Sequence, residues 1–352
     1  MNDLADTLVS SGELSCAAAD MTGLLVGYGS IGRRHLENLH GLGVRDWAVV
    51  HTGAGTLPFE PPCRVRSYPT LSGALEAEDP AFAVIANPTA LHVQSALACV
   101  ERGCDLLLEK PVSHSLDGLD ALSREVATRG SKVLVGFQFR FDRGLKRMGE
   151  LLEERAVGAP LHVRVVWGEY LPGWHPWEDW RASYAARRDL GGGVHHTLCH
   201  PLDYLRMLFG DPTGLVASLA DHGPLGLDVP EAADIMLPFP GGVSGQVHLD
   251  FWSRPATHRV ETVCTNGTIT WDHMTGELRV WDEAEAAWHS ERFAGVDARD
   301  ELFRAEARHL LEVIRGHAEP ACTLADGVQA ARLCAAIERS AARTVTQSME
   351  VR

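Results

Sequence analysis

The first part of the chain alternates short apolar runs with segments of helical periodicity. The mostly apolar runs lie at residues 24–26, 47–50, 83–86, 106–108 and 132–135, and helical segments such as 33–39, 92–102 and 116–128 separate them. Buried strands that alternate with helices are typical of a parallel sheet in which the helices form the crossovers. The pattern therefore predicts a doubly wound α/β domain over residues 21–140.

The pattern changes after residue 140. A helix is predicted over 143–155, and apolar and polar residues then alternate at 161–170, 235–239, 243–251 and 259–265, with a turn at Asn266-Gly267. A period of two indicates strands with one buried face, and Asn-Gly favours a tight hairpin. With two amphipathic helices at 301–315 and 324–342, residues 141–352 are predicted to form an α+β domain with a large, open, mostly antiparallel sheet.

Composition limits the possible partners and the cellular location. The chain has 352 residues, 45% of them hydrophobic, and a formal net charge of -15 without long basic runs, so nucleic acid and anionic membranes are not expected partners. Eight cysteines without a CxxC pair favour a reducing cytoplasm. No apolar run approaches the roughly 20 residues of a membrane span. Residues 1–20 carry four acidic residues and are predicted to be a disordered extension.

A glycine-rich motif predicts a nucleotide site. Gly27-Tyr28-Gly29-Ser30-Ile31-Gly32 follows an apolar strand and precedes a helical segment that begins with Arg33. In this context the glycines permit a tight turn and a close approach to a pyrophosphate, which the helix N-terminus stabilises.

The second strand of the predicted sheet departs from the pattern of NAD sites. An acidic residue usually binds the adenosine ribose of NAD there, but this strand ends in Val50-His51-Thr52-Gly53. The sequence therefore slightly favours NADP over NAD. Arg33, Arg34, His51 and Thr52 are the candidate contacts of a 2′-phosphate.

Two further polar blocks follow predicted strands. They are Asn87-Pro88-Thr89-Ala90-Leu91-His92 and Glu109-Lys110-Pro111, and the carboxyl ends of parallel strands are where such sheets bind ligands. The order GxGxxG, NPxxxH, EKP resembles the glucose-fructose oxidoreductase and inositol dehydrogenase family, called Gfo/Idh/MocA. The resemblance extends from residue 24 to about residue 340.

The resemblance implies roles for these residues. In that family the EKP lysine lies near the substrate hydroxyl and the nicotinamide, which implies that Lys110 is the main acid/base. An ammonium beside the positively charged ring of the cofactor gives up its proton more readily. Glu109 is expected to orient the lysine or to close the cofactor site, to which Asn87, Pro88, Thr89 and His92 also contribute.

The second half carries the segment Gly191-Gly192-Gly193-Val194-His195-His196-Thr197-Leu198-Cys199-His200. The family pattern is a glycine pair, then an Asp, then a proton-transferring His, which corresponds to His200. The position of the Asp falls on Thr197 without a gap, or on His196 at a spacing of four. His196 and His200 would share a helical face, but no glutamate follows in the HExxH manner, so we predict no metal and a substrate-binding role for His196, Thr197 and His200.

An aromatic loop precedes that segment. It contains Tyr170, Trp174 and the pair Trp180-Arg181, and aromatic faces stack on sugar rings or nicotinamide. By resemblance, Trp180 and Arg181 approach the cofactor, and Tyr170 and Trp174 line the substrate site. Arg140 matches the family's segment between the domains and is also expected to face the substrate.

These observations predict an NAD(P)-dependent oxidoreductase. Its substrate would be a secondary alcohol or ketone of a sugar, sugar nucleotide or polyol derivative in a biosynthetic pathway. The alternatives are an NAD-dependent glycosidase that acts by oxidation and elimination, and a non-catalytic nucleotide-binding sensor. The resemblance also implies that the second domain forms homodimers or homotetramers.

Overall fold

The computed structural model describes residues 21–55, 58–175, 178–220, 223–296 and 299–343, and the predicted extension over 1–20 lies outside them. The described residues form two compact units. Unit 1 contains those up to Glu109 with 118–136 and 303–324, and unit 2 contains 110–117, 137–302 and those from Ala325 onward. Both units are discontinuous in sequence, and a division into domains at residue 140 stays a prediction.

Unit 1 contains a six-stranded sheet in which all strands are parallel. The strands occur in the order β3-β2-β1-β4-β5-β6. Their bounds are Thr22–Val26 (β1), Asp46–Val50 (β2), Arg66–Tyr68 (β3), Phe82–Ile85 (β4), Asp105–Leu108 (β5) and Val133–Val135 (β6). This order confirms the doubly wound fold, whose direction reverses between β1 and β4. Leu24, Leu25 and Val84 are fully buried because both faces of the central strands are covered.

Four helices accompany this sheet, and one of them begins later than predicted. Their bounds are Ser30–Gly41 (α1), Leu71–Ala77 (α2), His92–Glu101 (α3) and Leu119–Arg129 (α4). The sequence predicted a helix from residue 116, but Gly118 has a left-handed φ of 76°. A Cβ at Gly118 would lie 2.8 Å from Val93 Cγ1, so the glycine also permits close packing against α3.

Unit 2 contains an eight-stranded sheet in the order β14-β13-β12-β11-β7-β10-β9-β8. The pair β7 and β10 is parallel and the other neighbours are antiparallel, which confirms the mostly antiparallel sheet. The bounds are Pro160–Gly168 (β7), Val216–Ala220 (β8), Ala232–Pro238 (β9), Ser244–Asp250 (β10), Thr257–Cys264 (β11), Gly267–Asp272 (β12), Glu277–Asp282 (β13) and Ala287–Arg292 (β14).

The predicted Asn266-Gly267 turn lies one residue earlier than expected. Cys264 pairs with Gly267, so Thr265 and Asn266 form the connection and Gly267 is the first residue of β12. A Cβ at Gly267 would lie 2.1 Å from the carbonyl oxygen of Trp281. This glycine is therefore required by the approach of β13 rather than by the turn.

The remaining helices are Arg143–Glu153 (α5), Val194–Thr197 (α6), His200–Phe209 (α7), Arg299–Ile314 (α8) and Leu324–Ala341 (α9). The side chain of Asp142 caps α5 by accepting a hydrogen bond from the Leu145 N–H at 2.9 Å. Within the described residues, no helix has both the length and the apolar character of a membrane span.

His248 on β10 lies between two carboxylates. Its Nδ1 is 2.7 Å from Asp234 Oδ1, and its Nε2 is 3.3 Å from Asp250 Oδ2. The hydrogen bond with Asp250 contributes most to raising the pKa of His248 to about 9. Because this pKa lies above the unfolded value of about 6.5, the stabilisation is complete below about pH 6.5 and is lost as the pH rises through about 9.

We therefore expect His248→Gln to reduce the loss of stability that occurs between pH 6 and pH 10. The effect should stay below about 1 kcal/mol because His248 is partly exposed and water screens the pair. Urea unfolding at both pH values measures it. His162→Gln on neighbouring β7 is the matched control, since His162 bonds to the Ser244 hydroxyl. An unchanged pH dependence in His248→Gln would contradict this assignment.

Candidate active site

The glycines of the turn between β1 and α1 have two different structural roles. Gly27 has a left-handed φ of 100°, and a Cβ there would lie 2.6 Å from the main-chain nitrogen of Asn87. A Cβ at Gly32 would lie 2.1 Å from the carbonyl oxygen of Gly27. A Cβ at Gly29 would meet no atom within 4 Å. Gly27 and Gly32 therefore permit the packing of the turn, whereas Gly29 borders open space.

The start of α1 can hold an anion above this turn. Gly29 is the N-cap and provides no side-chain cap, and both Gly29 and Ser30 are exposed. The first N–H groups of a helix have no acceptor within the helix, and the helix dipole favours negative charge there. An open approach at Gly29 and uncapped N–H groups fit the pyrophosphate of a dinucleotide.

Aromatic rings lie beside the turn, next to the end of β2. The His51 ring stacks on Phe59 with a centroid distance of 4.4 Å, and Tyr28 meets Phe59 edge-on at 4.8 Å. The Arg33 guanidinium lies 5.7 Å from the centre of the Tyr28 ring. Sequence reasoning missed Phe59, because nothing in the local pattern marks it.

Arg34 and Thr52, the other two candidates for a 2′-phosphate, are placed differently. The Arg34 guanidinium lies 4.8 Å from the centre of the Phe303 ring. Thr52 is exposed, and its hydroxyl accepts a hydrogen bond from the Ala54 N–H at 3.3 Å. Of the four candidates, the structure thus places Arg33 and His51 around the same aromatic side chain, Tyr28.

The Asn87-Pro88-Thr89-Ala90-Leu91-His92 block forms a loop closed by its own side chains. The His92 Nε2 is 2.8 Å from the carbonyl oxygen of Asn87, and the Asn87 amide donates to Ser95 Oγ at 2.8 Å. Pro88 precedes a 3-10 turn in which Thr89 is buried. These hydrogen bonds give Asn87 and His92 a structural role in closing the loop. The contacts of this block with a cofactor stay predictions.

Glu109 is a buried carboxylate that bonds to α1. Its Oε1 is 2.6 Å from His35 Nε2, and His35 is fully buried. A Cβ at Gly136 would lie 3.2 Å from the carboxyl group, so a glycine at the end of β6 leaves space for it. Sequence reasoning missed His35, although a histidine among the apolar residues of a helix that buries Leu36 and Leu39 was an available signal.

Lys110 belongs to unit 2 and donates a hydrogen bond to a main-chain carbonyl of the same unit. Its Nζ donates a hydrogen bond of 2.9 Å to the carbonyl oxygen of Thr197, the last residue of α6. The family's Asp corresponds to Thr197 without a gap, or to His196 at a spacing of four. The Thr197 hydroxyl is buried and makes no hydrogen bond to the residues that the structure describes. The acceptor that Thr197 offers to the lysine is therefore its neutral main-chain carbonyl.

His200, the first residue of α7, is enclosed by aromatic rings. Its ring meets Phe139 edge-on at 4.9 Å and Phe137 at 5.4 Å. Burial, followed by the charge of Lys110, lowers the pKa of His200 well below its ordinary value. The imidazole is therefore neutral near pH 7. Among the described residues, its Nδ1 has no hydrogen-bond partner.

The neighbouring histidines on α6 face a carboxylate instead. His195 Nε2 and His196 Nε2 lie 3.2 and 3.8 Å from Glu338 Oε1 on α9. Burial and the adjacent His195 lower the pKa of His196 to about 3. Sequence reasoning missed Glu338, which is far away along the chain.

Arg140, a predicted substrate ligand, is ion-paired within unit 2. Its Nε and Nη2 donate to Asp203 at 2.8 and 2.6 Å, and its Nη1 lies 3.3 Å from Asp326. These ion pairs compensate the charge of the largely buried Arg140 guanidinium, so its position is explained without a bound ligand. A contribution of Arg140 to substrate binding stays a prediction.

The aromatic loop presents rings that stack on cations. Tyr170 lies under the Arg254 guanidinium at 4.2 Å, and Trp180 lies under its neighbour Arg181 at 4.1 Å. Trp174 meets Phe251 edge-on at 5.8 Å, and its buried indole N–H makes no hydrogen bond to the part of the chain that the structure describes. An indole N–H of this kind is suited to a polar, ring-shaped ligand.

Two family models match the chain consecutively. Residues 21–137 match the oxidoreductase family with an NAD-binding Rossmann fold, and residues 145–270 match the GFO/IDH/MocA C-terminal domain. The inositol 2-dehydrogenase of Mycolicibacterium smegmatis is 28% identical over 90% of this chain and 93% of its own length.

Solved structures have the same fold. A levoglucosan dehydrogenase in complex with NADH and levoglucosan superposes with a TM-score of 0.79 at 20% identity, covering 92% of this chain and 97% of its own. GenD2 from gentamicin A biosynthesis, in complex with NAD, has a TM-score of 0.75 at 24% identity, covering 92% and 94%. With its motifs, its two sheets and both family models in agreement, the chain belongs to the Gfo/Idh/MocA family of NAD-binding oxidoreductases.

Proposed function

We propose that this protein transfers a hydride between a nicotinamide cofactor and a secondary alcohol or ketone of a sugar, sugar nucleotide or polyol derivative. The observation that carries this proposal is the pair formed by Lys110 and His200. The Lys110 ammonium donates to the Thr197 carbonyl, and its charge contributes to lowering the pKa of the buried His200 imidazole in the same unit. An amine and a neutral imidazole are suited to moving a proton and to orienting the group that carries it.

The cofactor supplies the hydride acceptor or donor when it is bound at the glycine turn. In the oxidative direction, Lys110 takes the hydroxyl proton as the alcohol becomes a ketone, and in the reductive direction it returns that proton. His200 stays neutral because of its low pKa, so it orients the substrate oxygen by a hydrogen bond rather than carrying the main proton transfer. The carbonyl oxygen of Thr197 keeps Lys110 in position by accepting a hydrogen bond from its Nζ.

Replacing the lysine tests this assignment. Lys110→Ala should lower kcat/KM by roughly 10²- to 10⁴-fold, the usual contribution of a positioned acid/base, while the affinity for NAD(P)H measured by fluorescence is retained. The matched control is Lys146→Ala on α5, where the lysine is exposed. Near wild-type turnover in Lys110→Ala would refute the role of this residue.

The substrate class is supported by the aromatic loop and by the relatives. Within the described residues, the buried indole N–H of Trp174 makes no hydrogen bond, and such a donor suits a polar ring; Tyr170 in the same loop stacks with the Arg254 guanidinium. The relatives include proteins named for inositol, for levoglucosan and for gentamicin biosynthesis. We infer a biosynthetic sugar or polyol substrate. A panel of free sugars, polyols and sugar nucleotides, each assayed for a change in cofactor absorbance, identifies it.

Replacement by Ala should have different effects at Gly29, which borders open space, and at Gly32, which packs against the turn. Gly29→Ala should keep the stability of the protein and weaken NAD(P)H binding about tenfold or more, because a methyl group would intrude where the pyrophosphate approaches. Gly32→Ala should instead lower the free energy of unfolding by about 3 kcal/mol or more, because its Cβ would meet the Gly27 carbonyl. Fluorescence titration and urea unfolding distinguish the two. Unaltered cofactor affinity in Gly29→Ala would contradict binding at this turn.

We further infer a slight preference for NADP. It rests on the absence of an acidic residue in the segment 51–55 after β2 and on Arg33 and His51 beside Tyr28. Arg33→Ala should raise KM for NADP about tenfold, as expected for a lost charge-assisted hydrogen bond, and leave KM for NAD nearly unchanged. Arg34→Ala, whose guanidinium lies over Phe303, is the control. A wild-type kcat/KM that is higher with NAD than with NADP would overturn the preference.

We also propose a homodimer or homotetramer. The outer face of the large sheet carries exposed apolar side chains on separate strands, Leu161, Val216 and Met236. Apolar side chains spread over an open sheet face are suited to burial against another copy of the sheet.

A further inference from the structure

His195 and His196 form a compact group with Glu338. Both histidines are buried, their ring centres are 4.1 Å apart, and both Nε2 atoms lie within 3.8 Å of the same carboxylate oxygen. The three potential ligand atoms all lie within 4.8 Å of one another. Glu338 is only half-buried, so solvent can reach the group from the side of α9.

The orientation of His196 makes this arrangement unfavourable without a cation. Its Nδ1 is 3.3 Å from the carbonyl oxygen of Gly192, which can only accept, so Nδ1 carries the proton. In a neutral ring, Nε2 then presents a lone pair, and this buried atom makes no hydrogen bond to any residue that the structure describes. A lone pair that faces a carboxylate oxygen at 3.8 Å is repelled by it.

The hydrogen bond from His196 Nδ1 to the Gly192 carbonyl is also typical of a histidine that binds a metal through Nε2. A histidine that binds a metal commonly donates its other N–H to a carbonyl, which fixes the tautomer and the direction of the lone pair. Two ligands at the Zn–N and Zn–O distances of about 2.0–2.1 Å from a tetrahedral ion lie roughly 3.3 Å apart. The observed separations of 3.2 and 3.8 Å between each Nε2 and Glu338 Oε1 are close to this spacing.

We propose that His195, His196 and Glu338 bind one divalent transition-metal ion of the zinc type. Two imidazoles and one carboxylate are a borderline-soft donor set that suits Zn²⁺ better than Mg²⁺ or Ca²⁺. Three protein ligands leave a fourth position for water or for a substrate oxygen. Thr197, whose carbonyl accepts a hydrogen bond from Lys110, directly follows His196, so the ion would belong to the same unit as the lysine.

On sequence alone, His196 groups with His200, because they would share a helical face, and no metal is predicted. The structure instead brings His196 together with His195 and with Glu338 of α9. The nearby thiol of Cys334 donates a hydrogen bond to the His195 carbonyl oxygen at 3.4 Å and is not part of the donor set.

The test uses the full-length, untagged protein after treatment with EDTA. Titration with ZnCl₂ in competition with a chromophoric chelator should give one tight site per chain, and Glu338→Gln should weaken it at least about 100-fold. His196→Gln should do the same. Because Glu338 is partly exposed and Gln has the same shape, near-UV circular dichroism should show an intact fold in Glu338→Gln.

The chain offers its own control. Asp282, Glu285 and His289 form a second group, with two carboxylates and one histidine, and it is partly to fully exposed. Glu285→Gln should leave Zn²⁺ affinity unchanged. With Co²⁺ as the probe, visible absorption typical of four-coordinate nitrogen and oxygen ligation, without a thiolate band, should appear in the wild type and be absent in Glu338→Gln.

Three results would overturn the proposal. They are wild-type protein that binds no Zn²⁺ more tightly than Glu338→Gln, loss of the site in Glu285→Gln, and a thiolate band with Co²⁺. Each readout is a binding measurement, so none depends on the substrate or on the direction of the reaction.

Discussion

The buried hydrogen bond between Glu109 and His35 fixes the chain next to Lys110, the residue that we propose as the acid/base. A carboxylate that is almost fully buried must be paired, and its partner comes from α1, the helix that begins at the glycine turn. Lys110 is the next residue, so its backbone lies about 3.8 Å along the chain from a fixed point. The Thr197 carbonyl then fixes the other end of the lysine, its ammonium group. Backbone and side chain are thereby restrained by separate interactions.

The position of the family's Asp falls on Thr197, or on His196 at a spacing of four, and the main chain of Thr197 accepts a hydrogen bond from Lys110. Burial, followed by the charge of Lys110, disfavours the charged form of His200 and lowers its pKa. An imidazole that resists protonation is poorly suited to accept a proton, which supports our proposal that Lys110 carries the main proton transfer.

The features that sequence predicted are those with local causes. The GxGxxG turn was identifiable because a strand, a tight turn and a helix start must follow one another directly, and the sheets followed from the period of their apolar residues. The start of α4 was missed because Gly118 adopts a left-handed conformation that apolar periodicity does not reveal. Phe59 and Glu338 were missed because long-range packing brings them to His51 and His195, and no local pattern encodes such contacts.

Burying the two adjacent histidines on α6 costs free energy of folding unless another interaction compensates for it. His195 Nδ1 and His196 Nε2 are buried without hydrogen-bond partners, and each such atom costs roughly 1–3 kcal/mol. Apolar side chains at the same positions of a buried helix would avoid this cost. A hydrogen bond to Glu338 offsets it for His195 Nε2, but it leaves the lone pair of His196 facing a negative charge. A bound cation would remove that repulsion and give the buried His196 Nε2 a partner, which is a physical reason for two histidines and a distant glutamate to occupy these positions together.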